Sequence, residues 1–138
     1  MKNILTVAIT AFLSISFACK AEVAVIVHPS NNNALDENAI KRIFLGKNKK
    51  FDNGNKIIPM NQNQGSSART EFGKKVLGKS DSQLKAYWSK LIFTGKGTPP
   101  SEKSNDAEIL KLVASTPDSI AYVDTASLDD TVKVVGKF

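Results

Sequence analysis

Two chemically versatile residue types are almost missing: the 138-residue chain has one Cys and one His. A tetrahedral zinc centre of Cys and His needs about four such ligands and is excluded. A disulfide framework is excluded with it. There is no Gly-x-Ser-x-Gly elbow to place a nucleophile, so His28, followed at once by Pro29, reads as a structural or surface residue at a strand end. Gly95-Lys96-Gly97-Thr98 lacks a phosphate-loop spacing, because Lys90 stands where the earlier Gly belongs. Asp124, Asp129 and Asp130 do not have the spacing of an EF-hand. The formal net charge of +6 is spread thinly, and no basic run is long enough for a nucleic-acid patch. No nucleic-acid partner, cofactor, metal or catalytic residue is expected, and the protein reads as a non-enzyme.

What remains is ordinary globular material, 41% hydrophobic and 23% charged. The first stretch stands apart. Lys2 precedes a largely apolar run from Ile4 to Ala18, shorter than the roughly 20 residues a spanning helix needs. Small residues at Cys19 and Ala21 then suit signal-peptide cleavage. The expectation is a signal peptide over 1–21 and a single domain over 22–138, periplasmic or secreted. Acylation of Cys19 is the alternative, although Ser16 and Phe17 fit a lipobox poorly.

Along the domain, Val23 to Val27 is a β-branched apolar run suited to a strand buried on both faces. Leu35 to Leu45 repeats at near-helical spacing, with Gly46 as its stop. Ile57 to Met60 reads as a second strand. Ala68, Phe72 and Val76 recur every fourth residue and predict a helix ended by Gly78. Ser80 or Asp81 caps a further helix whose apolar face is Leu84, Tyr87, Trp88, Leu91 and Ile92. Thr94 to Pro100 reads as a loop and Asp106 to Ser115 as a helix. Ile120 to Val123 and Thr131 to Val135 complete the set as strands. The predicted order is β-α-β-α-α-α-β-β: an α/β fold, a mixed sheet flanked by helices.

The strongest local motif is Gln62-Asn63-Gln64-Gly65-Ser66-Ser67-Ala68-Arg69, between a strand and a helix. Unpaired N–H groups and the dipole make a helix start attractive to anions, and an Arg one turn inside has a fork of donors to add. The plainer reading is that Ser66 or Ser67 caps the helix and Arg69 is solvated.

Taken together with this loop, Ile43-Phe44-Leu45-Gly46-Lys47, Ala86 to Gly97 and Ile120-Ala121-Tyr122-Val123-Asp124 resemble the substrate-binding family of phosphate ABC transporters. The resemblance runs from about Val23 to Val135. It implies one lobe of the type 2 periplasmic-binding fold, and a Gly-Ser-Gly-Thr loop that holds phosphate. Gly65 and Ser66 match its first two positions, while Ser67 and Ala68 replace the Gly and Thr. Gln62 stands near the position of the family's Arg, which Arg69 is then expected to replace. The expected site is therefore Gly65, Ser66, Ser67, Ala68 and Arg69, and the expected ligand is phosphate or a similar oxyanion. Family members have two lobes, and this length holds about one. An ABC transporter permease, another envelope protein or self-association would complete the cleft. The competing expectation is a lobe reused as a protein–protein interaction module.

Overall fold

The computed structural model describes residues 22–138; the expected signal peptide and Cys19 lie outside the described residues. Five strands form one sheet in the order β3-β2-β4-β1-β5. They are β1 (Val23–Val27), β2 (Ile58–Gln62), β3 (Ser101–Lys103), β4 (Ser119–Asp124) and β5 (Lys133–Lys137). β2 runs parallel to β3 and β4, whereas β1 runs antiparallel to β4 and β5, so the sheet is mixed.

β1 lies inside the sheet between β4 and β5, and all five of its residues are buried. Successive strand residues point to opposite faces. Val23, Val25 and Val27 join Ile120 and Tyr122 on the face covered by α1 (Glu37–Phe44), α2 (Ser67–Phe72) and α3 (Asp81–Phe93). Ile26 joins Ala121, Val123 and Met60 on the opposite face, under Ile109 and Val113 of α4 (Asp106–Ser115). A strand with apolar residues at every position needs both faces covered, and helices supply that cover. The expected α/β class is therefore observed.

Local signals account for most helix ends. Asp36 caps α1 by accepting from the N–H of Ala39 at 2.7 Å. Ser80 and Gln83 form a reciprocal capping box at the start of α3. Gly46 follows α1 with φ +73°, a conformation open to glycine at little cost. A Cβ there would also lie 3.0 Å from the Trp88 ring, so this glycine lets α3 close against the end of α1.

Three details differ from the sequence expectation. The spacing of Ala68, Phe72 and Val76 predicts one regular helix, but Gly73–Leu77 forms a π-helical turn. Gly73 packs so closely that a Cβ would meet the Lys79 carbonyl oxygen at 3.0 Å and Leu84 Cδ1 at 3.1 Å. β3 is an additional strand between α3 and α4: three polar residues with no apolar alternation, defined only by parallel pairing to Met60, Asn61 and Gln62. Finally, Ile92 is not part of a buried face. Leu84 and Trp88 are buried, whereas Ile92 is 56% exposed.

Candidate functional site

The motif from Gln62 to Arg69 lies where β2 ends and α2 begins, as the strand-loop-helix reading expects. Asn63 accepts from the N–H of Ser66 at 3.2 Å, closing the loop, and Gly65 takes φ +86° within it. Ser66 is the N-cap. Its hydroxyl oxygen accepts from the N–H of Arg69 at 3.3 Å and donates to Gln62 Oε1. A helix start has several N–H groups without helical partners. Here Ser66 satisfies one, while the N–H groups of Ser67 and Ala68 have no hydrogen-bond acceptor among the described residues. The structure thus brings Gly65, Ser66, Ser67, Ala68 and Arg69 together at one turn. Ser66 serves as a cap, and the N–H groups of Ser67 and Ala68 remain open.

Arg69 is partly buried and paired, not a free surface side chain. One guanidinium nitrogen donates to the Gln62 carbonyl at 2.8 Å and to Glu102 Oε1 at 2.6 Å. Arg69 thereby ties its own helix to the end of β2 and to β3. The adjacent cavity, about 390 Å³, is bordered by Gly65, Arg69, Asp81, Lys85, Trp88 and Glu102. Two carboxylates oppose two cations there, and Asp81 accepts from the Thr70 hydroxyl at 2.8 Å. An entering anion would share the Arg69 charge with Glu102, which occupies one of its guanidinium nitrogens.

Beneath the loop, polar groups are fully committed. Gln62 is buried, and its Nε2 donates to Asp106 Oδ1 at 2.6 Å and to the Tyr122 carbonyl at 3.1 Å. The other Asp106 oxygen accepts from the Ser127 hydroxyl at 2.7 Å and from the N–H of Asp124 at 3.2 Å. The Tyr122 hydroxyl donates to Asn61 Oδ1. Burial pushes the Tyr122 phenol well above its ordinary range, against smaller lowering by the Gln62 hydrogen bond and Arg69. Its ring stacks on Phe72 with centroids 4.1 Å apart, and Phe44 meets Phe72 edge-on at 4.8 Å. The loop therefore rests on an aromatic support. Polar satisfaction of this kind fixes geometry, because an unpaired buried group is costly.

Sequence reasoning missed Glu102, Asp106 and Tyr122 as neighbours of the loop. Glu102 lies in a polar stretch 33 residues beyond Arg69 and carries no local signal. Among the described residues, the side chains of His28 and Asp124 make local hydrogen bonds only. His28 Nδ1 meets the Ser30 hydroxyl at 2.7 Å, and Asp124 caps a short 3-10 turn at Thr125–Ser127. Among the described residues no group of three His, Cys, Asp or Glu is placed to hold a metal ion.

No family model matches the chain, and no curated protein matches it. Solved structures do. An ABC-type phosphate transport receptor from Vibrio cholerae is similar with TM-score 0.64 and 16% identity, over 83% of this chain and 46% of the receptor. A putative phosphate ABC transporter substrate-binding protein from Clostridium perfringens, with bound phosphate, is similar with TM-score 0.64 and 22% identity, over 83% and 45%. PstS from Borrelia burgdorferi gives 0.62 and 14%, over 84% and 47%. The chain spans less than half the length of these neighbours. At this identity the likeness is one of fold: the chain has the α/β architecture of one lobe of such phosphate receptors.

Proposed function

We propose that this protein is an exported, non-enzymatic binding protein that recognises phosphate or a similar oxyanion at the loop Gly65–Arg69. The observation that carries the reading is the pair of open N–H groups at Ser67 and Ala68, beside the Arg69 guanidinium, on a lobe shared with phosphate receptors. The two N–H groups would hold oxyanion oxygens, and Arg69 would swing from Glu102 to add a charged donor. Export through the segment 1–21 fits the same role, and no described helix is long and apolar enough to cross a membrane. A single lobe leaves the anion wet and screened, so binding is weaker than in a closed cleft. A permease, another envelope protein or a second copy would supply the opposite wall.

The test is thermal unfolding across a phosphate titration at fixed ionic strength, with sulfate and chloride as controls. Phosphate at ~100-fold over its dissociation constant should add about 2.7 kcal/mol of stability. Arg69→Ala should weaken that response. A flat response to millimolar phosphate would sink the proposal and leave the loop as a helix cap.

A further inference from the structure

A larger cavity opens at the other end of β2. It is a groove of about 790 Å³ between the Ile57-Ile58-Pro59 segment and the loop from Gly95 to Ser101, with Trp88 and Ile92 along one side. Its chemistry is unlike that of the phosphate loop. Lys49, Lys56 and Lys96 line it, and no Asp or Glu does. Lys50, outside the lining, pairs its backbone with Lys56 in an isolated antiparallel bridge. None of the four forms an ion pair among the described residues. Like charges placed opposite each other are unfavourable in isolation.

The apolar surface is also left open. Ile58 is 44% exposed, Ile92 is 56% exposed, and the neighbouring Phe93 is 93% exposed. Exposed apolar surface rimmed by charge of one sign marks an interaction surface. The shape and backbone narrow the occupant further. The N–H of Ile58 is used toward β4, by the Asp118 carbonyl, so the next N–H along the strand would face the groove. That next residue is Pro59, which has none. A strand added at this edge would lack a ladder hydrogen bond there, so side chains must make the contact. A second copy is disfavoured, because paired grooves would bring lysines against lysines on a chain of net charge +6.

We propose that this groove docks a segment of a partner protein that carries carboxylates interleaved with apolar side chains. The carboxylates pair with Lys49, Lys56 and Lys96, and the apolar groups pack on Ile58, Ile92 and Pro99. The concave shape favours a protein segment over a lipid surface. The proposal uses none of Gly65 to Arg69, although Trp88, Ile92 and Pro99 border both this groove and the cavity beside Arg69.

The test is an NMR titration of the isotope-labelled protein, in phosphate-free buffer, with a short synthetic peptide alternating Glu with Leu and Phe. Emission from Trp88, the single tryptophan, gives a second readout. The expected result is saturable shifts at the amides of Lys56, Ile92 and Lys96 that weaken as salt rises. The K49E/K56E/K96E variant should weaken binding roughly tenfold or more and should accept the Lys-for-Glu version of the peptide instead. Ile92→Ser should weaken binding without reversing the charge preference. Absence of saturable shifts would overturn the proposal, as would equal binding of the Gln-for-Glu peptide. Shifts produced by phosphatidylglycerol vesicles but not by the peptide would overturn it in favour of a lipid surface.

Discussion

The two ends of β2 present opposite solutions to the same problem. At the C-terminal end, around Gln62, the side chains are largely paired, Arg69 with Glu102 and Gln62 with Asp106, and the N–H groups of Ser67 and Ala68 are left open. At the N-terminal end, around Ile58, lysines stand without carboxylates and apolar groups face water. The first end is nearly charge-neutral, so a small ligand gains through the open N–H groups and by competing with Glu102 for Arg69. The second has surplus charge and surplus apolar area, so a ligand gains by supplying what is missing. Internal satisfaction yields selectivity for a small group, while unsatisfied surface favours a larger partner.

That contrast is broken most severely from below. Phe72→Ala removes the ring stacked on Tyr122 and should cost about 3–5 kcal/mol, read by urea unfolding; the phosphate response should vanish with the support. Asp106→Ala comes next. It strips an acceptor from Gln62, Ser127 and the N–H of Asp124, and should cost about 1–3 kcal/mol for the donors left unpaired. Ser66 then loses a fixed Gln62 partner, so phosphate affinity falls while peptide shifts at the groove persist.

Glu102→Gln sharpens the comparison in the other direction. The pair is partly exposed, so its loss should change stability by less than about 1 kcal/mol. With its internal competitor gone, Arg69 should bind phosphate more tightly, read as a larger thermal shift at the same phosphate concentration. Unchanged or weaker binding would assign Glu102 a structural role only.

Alkaline pH should act on the loop's support through Tyr122. The folded-state phenol of Tyr122 titrates above its unfolded value because it is buried. Its contribution to stability is therefore complete below about pH 10 and declines as pH rises beyond it, when the unfolded chain ionises first. Ultraviolet difference absorbance near 295 nm should show no native tyrosinate from Tyr122 before unfolding. The smallest expected effect is on the stability of K49E/K56E/K96E, within about 0.5 kcal/mol of wild type because all three side chains are surface groups.

The elements with strong local chemistry were readable in advance. Val23–Val27 and Asp106–Ser115 match their expected limits, because a continuous β-branched run and a capped apolar repeat each have one cheap solution. Gly46 and Gly78 stop their helices with positive φ. β3 was not readable, since Ser101, Glu102 and Lys103 have no pattern of their own and become a strand only beside β2. For the same reason the strand-loop-helix at Gln62 to Arg69 was visible, whereas the partner that holds Arg69 was not.

By itself the sequence determined the α/β class, the caps and turns, the scarcity of catalytic and metal-binding residues, and the anion-loop candidate. These depend on neighbours within a few positions, where backbone propensity and side-chain period act directly. Tertiary structure alone decided that Arg69 meets Glu102, that Gln62 meets Asp106, and that Lys96 joins Lys49 and Lys56 in a groove with no carboxylate beside Ile58. Those encounters join residues far apart in the chain, and only the sheet order β3-β2-β4-β1-β5 brings them within reach.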